Sequence, residues 1–467
     1  MPIDLWSEVA TVDLGDARRD ARLLKTLSRV AAKPGSSLPD TFTSSAELEA
    51  TYRFLNNPAV SAEAILAGHH VATLKRAAAR AEVLVLHDTT TFAFNGVRTE
   101  MGTVEPSQRA GFYDHVSLCV CLDGEPLGVL RQQTWRRFGE RRGKRSQQES
   151  QYDPNRESLR WNEAVHDCGA LLADHPCVVH VMDREGDCME LLADMQAHGH
   201  RFVVRLAHDR RLIKDRRKAP GPKLFEVMRQ APLVLEREVV LARRPAKTPS
   251  GSKSKHEWLA SRTAHLEVRA QRLEMSPGNG AHAHIPDVMT LNFVDVCETN
   301  PPEGREPVTW RLCTTEPIDT PADVARIVDI YRRRWLIEEF FKAIKTGCGY
   351  ETLQLVSGSA LNRALAIYVP VAWRMLRLRW VERQRPESPA IEVLTPVQTQ
   401  VLQALAKRDG KPLPPKPTAR DVLWAIARLG GHIRNNGSPG WLVLRRGFEK
   451  LLLVELGWSE RAALDTS

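Results

Sequence analysis

Two periodicities alternate along the chain. Arg18, Arg22, Lys25 and Arg29 recur at helical spacing after Asp16, while Leu23, Leu27 and Val30 form a neighbouring apolar stripe. This predicts a helix with one basic face. Pro34-Gly35-Ser36-Ser37 ends it, and Ser44 with Glu47 reads as a capping box opening a second helix through Tyr52, Arg53 and Leu55. From residue 83 the period shortens to strands at 83–88, 115–122 and 127–134. A helix at 159–173, a strand at 177–183, a helix at 187–197 and the strand 201–205 follow. The order β-β-β-α-β-α-β predicts an α/β fold, a mixed sheet with helices on both faces.

Residues 206–308 break that rhythm with strand-like pieces and basic loops, which predicts an antiparallel β insertion. A strand at 308–313 and a long helix at 321–346 resume the α/β pattern. An apolar helix at 360–383, a Pro-rich linker at 410–417 and helices near 418–429 and 440–466 close the chain. The segmentation is a helical region over 1–75, an α/β domain over 76–383 carrying the insertion, and a helical region over 384–467.

Composition narrows the function classes. With 467 residues, 42% hydrophobic and 26% charged, the chain is long enough for a sizeable core and lies in the ordinary globular range. No apolar run approaches the roughly 20 residues that cross a bilayer, and the start lacks the basic-then-apolar order of a secretory signal, so a cytoplasmic location and no membrane partner are expected. Eight cysteines without a C-x-x-C spacing read as reduced thiols. Lys plus Arg number 66 against 57 Asp plus Glu, and the net charge of +9 favours a polyanionic partner. The basic face of the first helix suits DNA docking or a solvated surface.

The candidate chemistry is acidic. Asp88 and Asp183 each stand at the C-terminal end of an apolar strand, the edge of an open sheet where ligands bind. In the long helix Tyr331, Arg334, Glu338, Lys342 and Lys345 step by helical intervals. On a continuous helix they share one face, while Ile330, Ile337, Phe341 and Ile344 turn to the core. Three carboxylates make an all-oxygen site for Mg²⁺, with Mn²⁺ able to substitute. Two such ions about 3.5–4 Å apart would activate the attacking oxygen and stabilise the leaving one in phosphodiester cleavage. Lys342 and Lys345 then supply charge for the phosphates, and Arg334 can grip one bidentately. Glu339 lies about 100° round the helix and is the poorer ligand. Glu185 and Asp187 read as caps of the next helix, and His87 and His180 as structural.

These residues carry a resemblance. D-T-T at Asp88, D-R-E-G-D at Asp183 and the Tyr331, Arg334, Glu338, Lys345 spacing resemble the DDE transposases of bacterial insertion sequences with the YREK signature. The likeness runs from L-G-D-A-R-R near residue 14, through Y-R-F-L-N-N at 52 and R-F-V-V-R at 201, to A-I-A-R-L-G-G at 425. It implies an RNase H-like catalytic domain interrupted by the β insertion, a helical N-terminal DNA-end-binding domain with Arg18, Arg22, Lys25 and Arg53 as contacts, and a helical C-terminal dimerisation domain.

The implied substrates are double-stranded terminal inverted repeats and target DNA, met by a homodimer in a bacterial, nucleoid-associated setting. The implied reaction is excision by hydrolysis and hairpin formation followed by strand transfer. Asp88, Asp183 and Glu338 then stand as ligands to two metal ions, and Tyr331, Arg334, Lys342 and Lys345 as phosphate or end-DNA contacts. Trp310 is either the aromatic that receives a flipped base or a core tryptophan. Arg205 is either a DNA-backbone contact or a strand-end arginine paired with an acid. The basic loop 136–145 binds DNA or is simply solvated. The alternatives are a metal-dependent DNA endonuclease and a non-catalytic, sequence-specific DNA-binding protein derived from a transposase; acids at all three positions argue against the latter.

Overall fold

The structure is a computed structural model that describes residues 5–42, 44–137, 156–212, 221–241, 244–245, 258–275, 285–286, 288–433 and 437–464. Residues 138–145 of the basic loop therefore lie outside the described residues. The fold is α/β, a mixed-sheet architecture of the RNase H-like kind, divided into two compact units. One comprises Met1–Cys177 with Trp335–Ser467, the other Val178–Arg334.

In the first unit, helices α1 (Ala17–Ala32), α2 (Leu38–Thr41), α3 (Ser45–Leu55) and α4 (Ala62–Ala78) precede a four-stranded antiparallel sheet. Its strands are β1 (Val83–Phe94), β2 (Gly102–Val104), β3 (Arg109–Val120) and β4 (Pro126–Trp135). Strand β3 pairs with β1 along one edge, and with β2 and then β4 along the other. Helix α1 is capped by Asp16, whose carboxylate accepts from the Arg18 amide. Ser44 caps α3 through the Glu47 amide, yet the Glu47 side chain does not close the predicted box. It is drawn instead into ion pairs with Lys25 and Arg29 of α1.

A buried polar knot fixes the N-terminal segment to the sheet. His69 Nδ1 lies 2.6 Å from Glu8, its Nε2 accepts from the Val129 amide at 3.0 Å, and Arg76 pairs with Glu8 at 2.7 Å. Burying these groups is tolerable only because each is paired. Gly128, at φ 144°, lets α4 come close: a Cβ there would collide with Thr73 Oγ1.

Helix α5 (Leu159–Leu171) covers one face of the sheet, its Trp161 ring edge-on to His115 at 4.6 Å. Further on lie α9 (Trp335–Lys342), α10 (Gly358–Gln384), α11 (Pro396–Arg408), α12 (Ala419–Leu429) and α13 (Trp441–Leu464). Helix α11, Pro396–Arg408, is not foreseen by apolar periodicity. Trp380, Val393, Leu402, Ile426 and Phe448 form a core among these C-terminal helices.

The second unit holds β5 (Val178–Met182), α6 (Met189–Ala197), β6 (Arg201–Arg205), α7 (Leu224–Gln230), β7 (Leu233–Leu241), β8 (Arg244–Pro245), β9 (Trp258–Leu259), β10 (Arg262–Met275), β11 (Met289–Thr299), β12 (Thr309–Thr314) and α8 (Pro321–Arg333). Its main sheet runs β5-β6-β12-β11-β10-β7, with β5 and β6 parallel and the remaining pairs antiparallel. The predicted insertion is thus a run of long antiparallel strands continuing that sheet.

Two details differ from the expected long helix. Arg334 bonds its amide to the Tyr331 carbonyl, three residues back, so α8 ends there and α9 starts afresh at Trp335. After Lys342 a π turn spans Ala343–Gly347, with the Cys348 amide on the Ala343 carbonyl at 2.7 Å. No described helix is long and apolar enough to cross a membrane.

Candidate active site

The first unit carries Asp88, Glu338, Lys342 and Lys345. Asp88 lies half-buried on β1, with one carboxylate oxygen accepting from the Thr89 amide at 2.8 Å. Strand alternation puts Asp88, Thr90 and Phe92 on one face and His87 and Thr89 on the other. The second face is closed: His87 meets Ser117 at 3.0 Å, and Thr89 meets His115 at 2.9 Å. Burial holds both imidazoles well below their ordinary range, hence neutral.

Helix α9 packs on β1 and carries the half-buried Glu338. Its neighbour Glu339 is committed elsewhere. Glu339 pairs with Lys342 at 3.0 Å and Arg379 at 3.2 Å, and accepts from the Trp441 indole at 3.2 Å. It ties α9 to α10 and α13. The π turn parts the two lysines: Lys342 is exposed over the Trp335 ring at 4.4 Å, whereas Lys345 is half-buried over Phe92 at 5.4 Å. The shared face expected for Tyr331 through Lys345 presupposes a continuous helix, and this helix is interrupted twice.

The second unit carries Asp183, Arg205, Trp310, Tyr331 and Arg334. Asp183 follows β5 and caps the short 3-10 turn Arg184–Gly186 through the Glu185 amide at 2.8 Å. Tyr331 is buried, with the Trp310 ring edge-on at 5.4 Å. Burial pushes the Tyr331 hydroxyl up, the positive charges of Arg205 and Arg334 pull it back, and Asp183 adds an upward push. These charges act on one hydroxyl, so Asp183, Arg205, Tyr331 and Arg334 share a neighbourhood. Arg205 also donates to the Thr309 carbonyl at 2.9 Å.

Asp187 does not cap α6. It is buried and accepts from the Ala207 and His208 amides at 2.6 and 2.9 Å, and it pairs with Arg210. Its partners lie about twenty residues downstream, beyond any local pattern. Glu185 is exposed.

In the N-terminal helices Arg18 stands 91% exposed against Asp16, while Lys25 pairs with Glu47, and Arg53 with Glu49 at 2.5 Å. Arg22 is half-buried.

Residues 5–60 match the family model described as transposase DNA-binding, and residues 162–369 match the transposase DDE domain. The chain belongs to the insertion-sequence DDE transposases. The DDE match contains Asp183, Tyr331, Arg334, Glu338 and Lys345, whereas Asp88 lies ahead of it. The transposase is a DNA-binding protein, and its catalytic domain is of a kind generally dependent on divalent metal ions. Asp88, Asp183 and Glu338 offer carboxylate oxygens only, the donor chemistry of a hard divalent cation.

Proposed function

We propose that this transposase excises its element by phosphodiester hydrolysis and hairpin formation and joins the ends to target DNA. The reading is carried by the cluster of Arg205, Tyr331 and Arg334 beside Asp183, with Trp310 against Tyr331, inside the matched DDE domain. Cations, a phenol and an aromatic face gathered around a carboxylate suit a distorted DNA end.

Asp88, Asp183 and Glu338 are the proposed metal ligands. Two Mg²⁺ ions held there would lower the pKa of the attacking water and neutralise charge on the phosphate. Arg334, Lys342 and Lys345 bind phosphate oxygens, and Arg205 and Tyr331 orient the DNA backbone. In the first step water attacks the phosphorus, and the departing strand leaves a 3′ hydroxyl. That hydroxyl then attacks the opposite strand, closing a hairpin and releasing flanking DNA. Trp310 stacks the base that this tight turn expels. A second water reopens the hairpin, and the freed 3′ hydroxyl attacks target DNA.

Arg18, Arg22, Lys25 and Arg53 serve end binding in region 1–75. Region 76–383 is catalytic, and 384–467 joins two copies in a homodimer on DNA.

The test incubates purified protein with DNA carrying the repeats that flank its gene, with Mg²⁺ or Ca²⁺. Nicks, hairpins and joined products with Mg²⁺ support the reading. Cuts without joined product would identify a nuclease, and binding without cutting would identify a non-catalytic derivative.

A further inference from the structure

A fourth carboxylate lies on the Asp88 face of the first unit's sheet. Asp114 opposes Thr90 across the β1–β3 pair, and Val116 opposes Asp88, so Asp88, Thr90, Asp114 and Val116 project from one face. Asp114 is fully buried. One of its oxygens accepts from Gln132 Nε2 at 2.8 Å, and the other, Oδ1, has no hydrogen-bond partner among the described residues. A buried, half-satisfied carboxylate is costly unless a positive charge stands nearby.

Lys345 brings a positive charge to this face. Its ammonium lies over Phe92, which opposes Phe112 on the same face. Burial draws its pKa down, and Glu351 and Asp114 draw it back up. Glu351 is fixed by the Ala93 amide at 2.9 Å. The floor is rigid: Tyr350 meets Phe92 and Phe94 edge-on at 4.9 and 5.6 Å. The π turn is what dips Lys345 into this setting while Lys342 stays exposed.

We infer that Asp114 is a positioning residue for Lys345, acting with Glu351 as a two-acid socket that holds the ammonium on the Asp88 face of the sheet. The inference rests on the transposase reading above, in which Lys345 meets a phosphate of the cleaved end. A flexible lysine held by two fixed acids loses less freedom when it meets that phosphate, and its reach is set before DNA arrives.

The test is a double-substitution cycle on single-turnover cleavage of pre-bound end DNA, using wild type, Asp114→Asn, Lys345→Ala and the combination. Asp114→Asn keeps the side-chain volume, removes the charge and leaves one oxygen to accept from Gln132. It should slow cleavage about ten- to a hundredfold while affinity for uncut ends stays at the wild-type value. Lys345→Ala should slow cleavage at least as much, and adding Asp114→Asn to it should change nothing further. Independent, multiplying losses would overturn the inference, because a merely structural Asp114 would weaken the Lys345→Ala protein as well. Glu351→Gln, masked by Lys345→Ala in the same way, keeps the test decisive should Asp114→Asn fail to fold. If Asp88→Ala and Glu338→Ala still cut, the transposase reading itself fails; if they stop cutting while Asp114→Asn cuts at the wild-type rate, only the socket fails.

Discussion

The ring of Trp310 stands edge-on to that of Tyr331, centroids 5.4 Å apart at 64°. Tyr331 is buried beside the charges of Arg205 and Arg334, whereas Trp310 is only half-buried on β12. An edge contact leaves an indole face for a stacked base, and a base–aromatic stack contributes roughly 1–3 kcal/mol. Trp310→Ala should therefore nick DNA ends at close to the wild-type rate while hairpin yield falls about tenfold or more. Denaturing gels of a time course separate the two products. Normal hairpins would return Trp310 to a packing role against Tyr331.

Single Ala substitutions at Asp88, Asp183 and Glu338 should leave end binding in place and reduce cleavage by at least about a thousandfold, in keeping with the removal of a charge-stabilising group at a reacting phosphate. Removing divalent ions with a chelator should do the same to the wild type, and Mg²⁺ or Mn²⁺ should restore cutting. Gel shifts and cleavage assays on one DNA preparation read both effects. Glu339→Ala tests the assignment within α9: without its ion pairs to Lys342 and Arg379 the melting temperature should fall, with residual cleavage above that of Glu338→Ala. A cutting Glu338→Ala protein would mean the wrong acid was chosen.

Sequence patterns disclose the order of strands and helices because apolar residues in this chain keep strict period wherever a face is buried. Ile330, Ile337, Phe341 and Ile344 are all buried, as their spacing requires. What escapes them depends on residues far apart in the chain or on single backbone bonds. The break at Arg334 is one amide shifting from the fourth to the third carbonyl back, among residues that all favour helix. Asp114 stays hidden because the apolar run suggests a strand opening at His115, whereas β3 starts at Arg109. Its partner Gln132 and its neighbour Lys345 come from distant segments. Ser44 and Glu47 match the local rule for a capping box, yet Lys25 and Arg29 outcompete the backbone for the glutamate.

The same competition predicts how the N-terminal helix meets DNA. Arg18 is 91% exposed and paired with Asp16, its neighbour two residues back, whereas Lys25 is already neutralised by Glu47. Every phosphate that the protein no longer neutralises should flatten the slope of log affinity against log salt by about 0.9. Arg18→Ala should show that full change and Lys25→Ala a smaller one. Glu47→Gln, which removes the ion pair of Lys25, should tighten binding and steepen the slope. Fluorescence anisotropy over a salt series reads all three, and an unchanged slope for Arg18→Ala would remove α1 from the DNA interface.

Acid should destabilise the first unit well above the pH at which ordinary carboxylates titrate. His69, His87 and His115 are held neutral by burial, and burial lowers His70 to about 4. The unfolded chain takes up a proton at each near pH 6.5, so the stability they confer is complete above that value and declines below it. The slope is about 1.4 kcal/mol per pH unit for each group between its two pKa values. Glu8, held below its ordinary range by His69 and Arg76 against the opposing effect of burial, extends the loss to lower pH. Asp114 works in the other direction. Burial raises it to about 7, so the folded protein takes up this proton first, and Asp114 costs stability above pH 7 while offsetting part of the acid loss below it. Thermal melts from pH 8 to pH 5 should accordingly show a falling midpoint for the wild type. Asp114→Asn should raise the midpoint at pH 8 and steepen the fall toward pH 5. A midpoint independent of pH in the wild type would mean that these imidazoles are not buried as neutral groups.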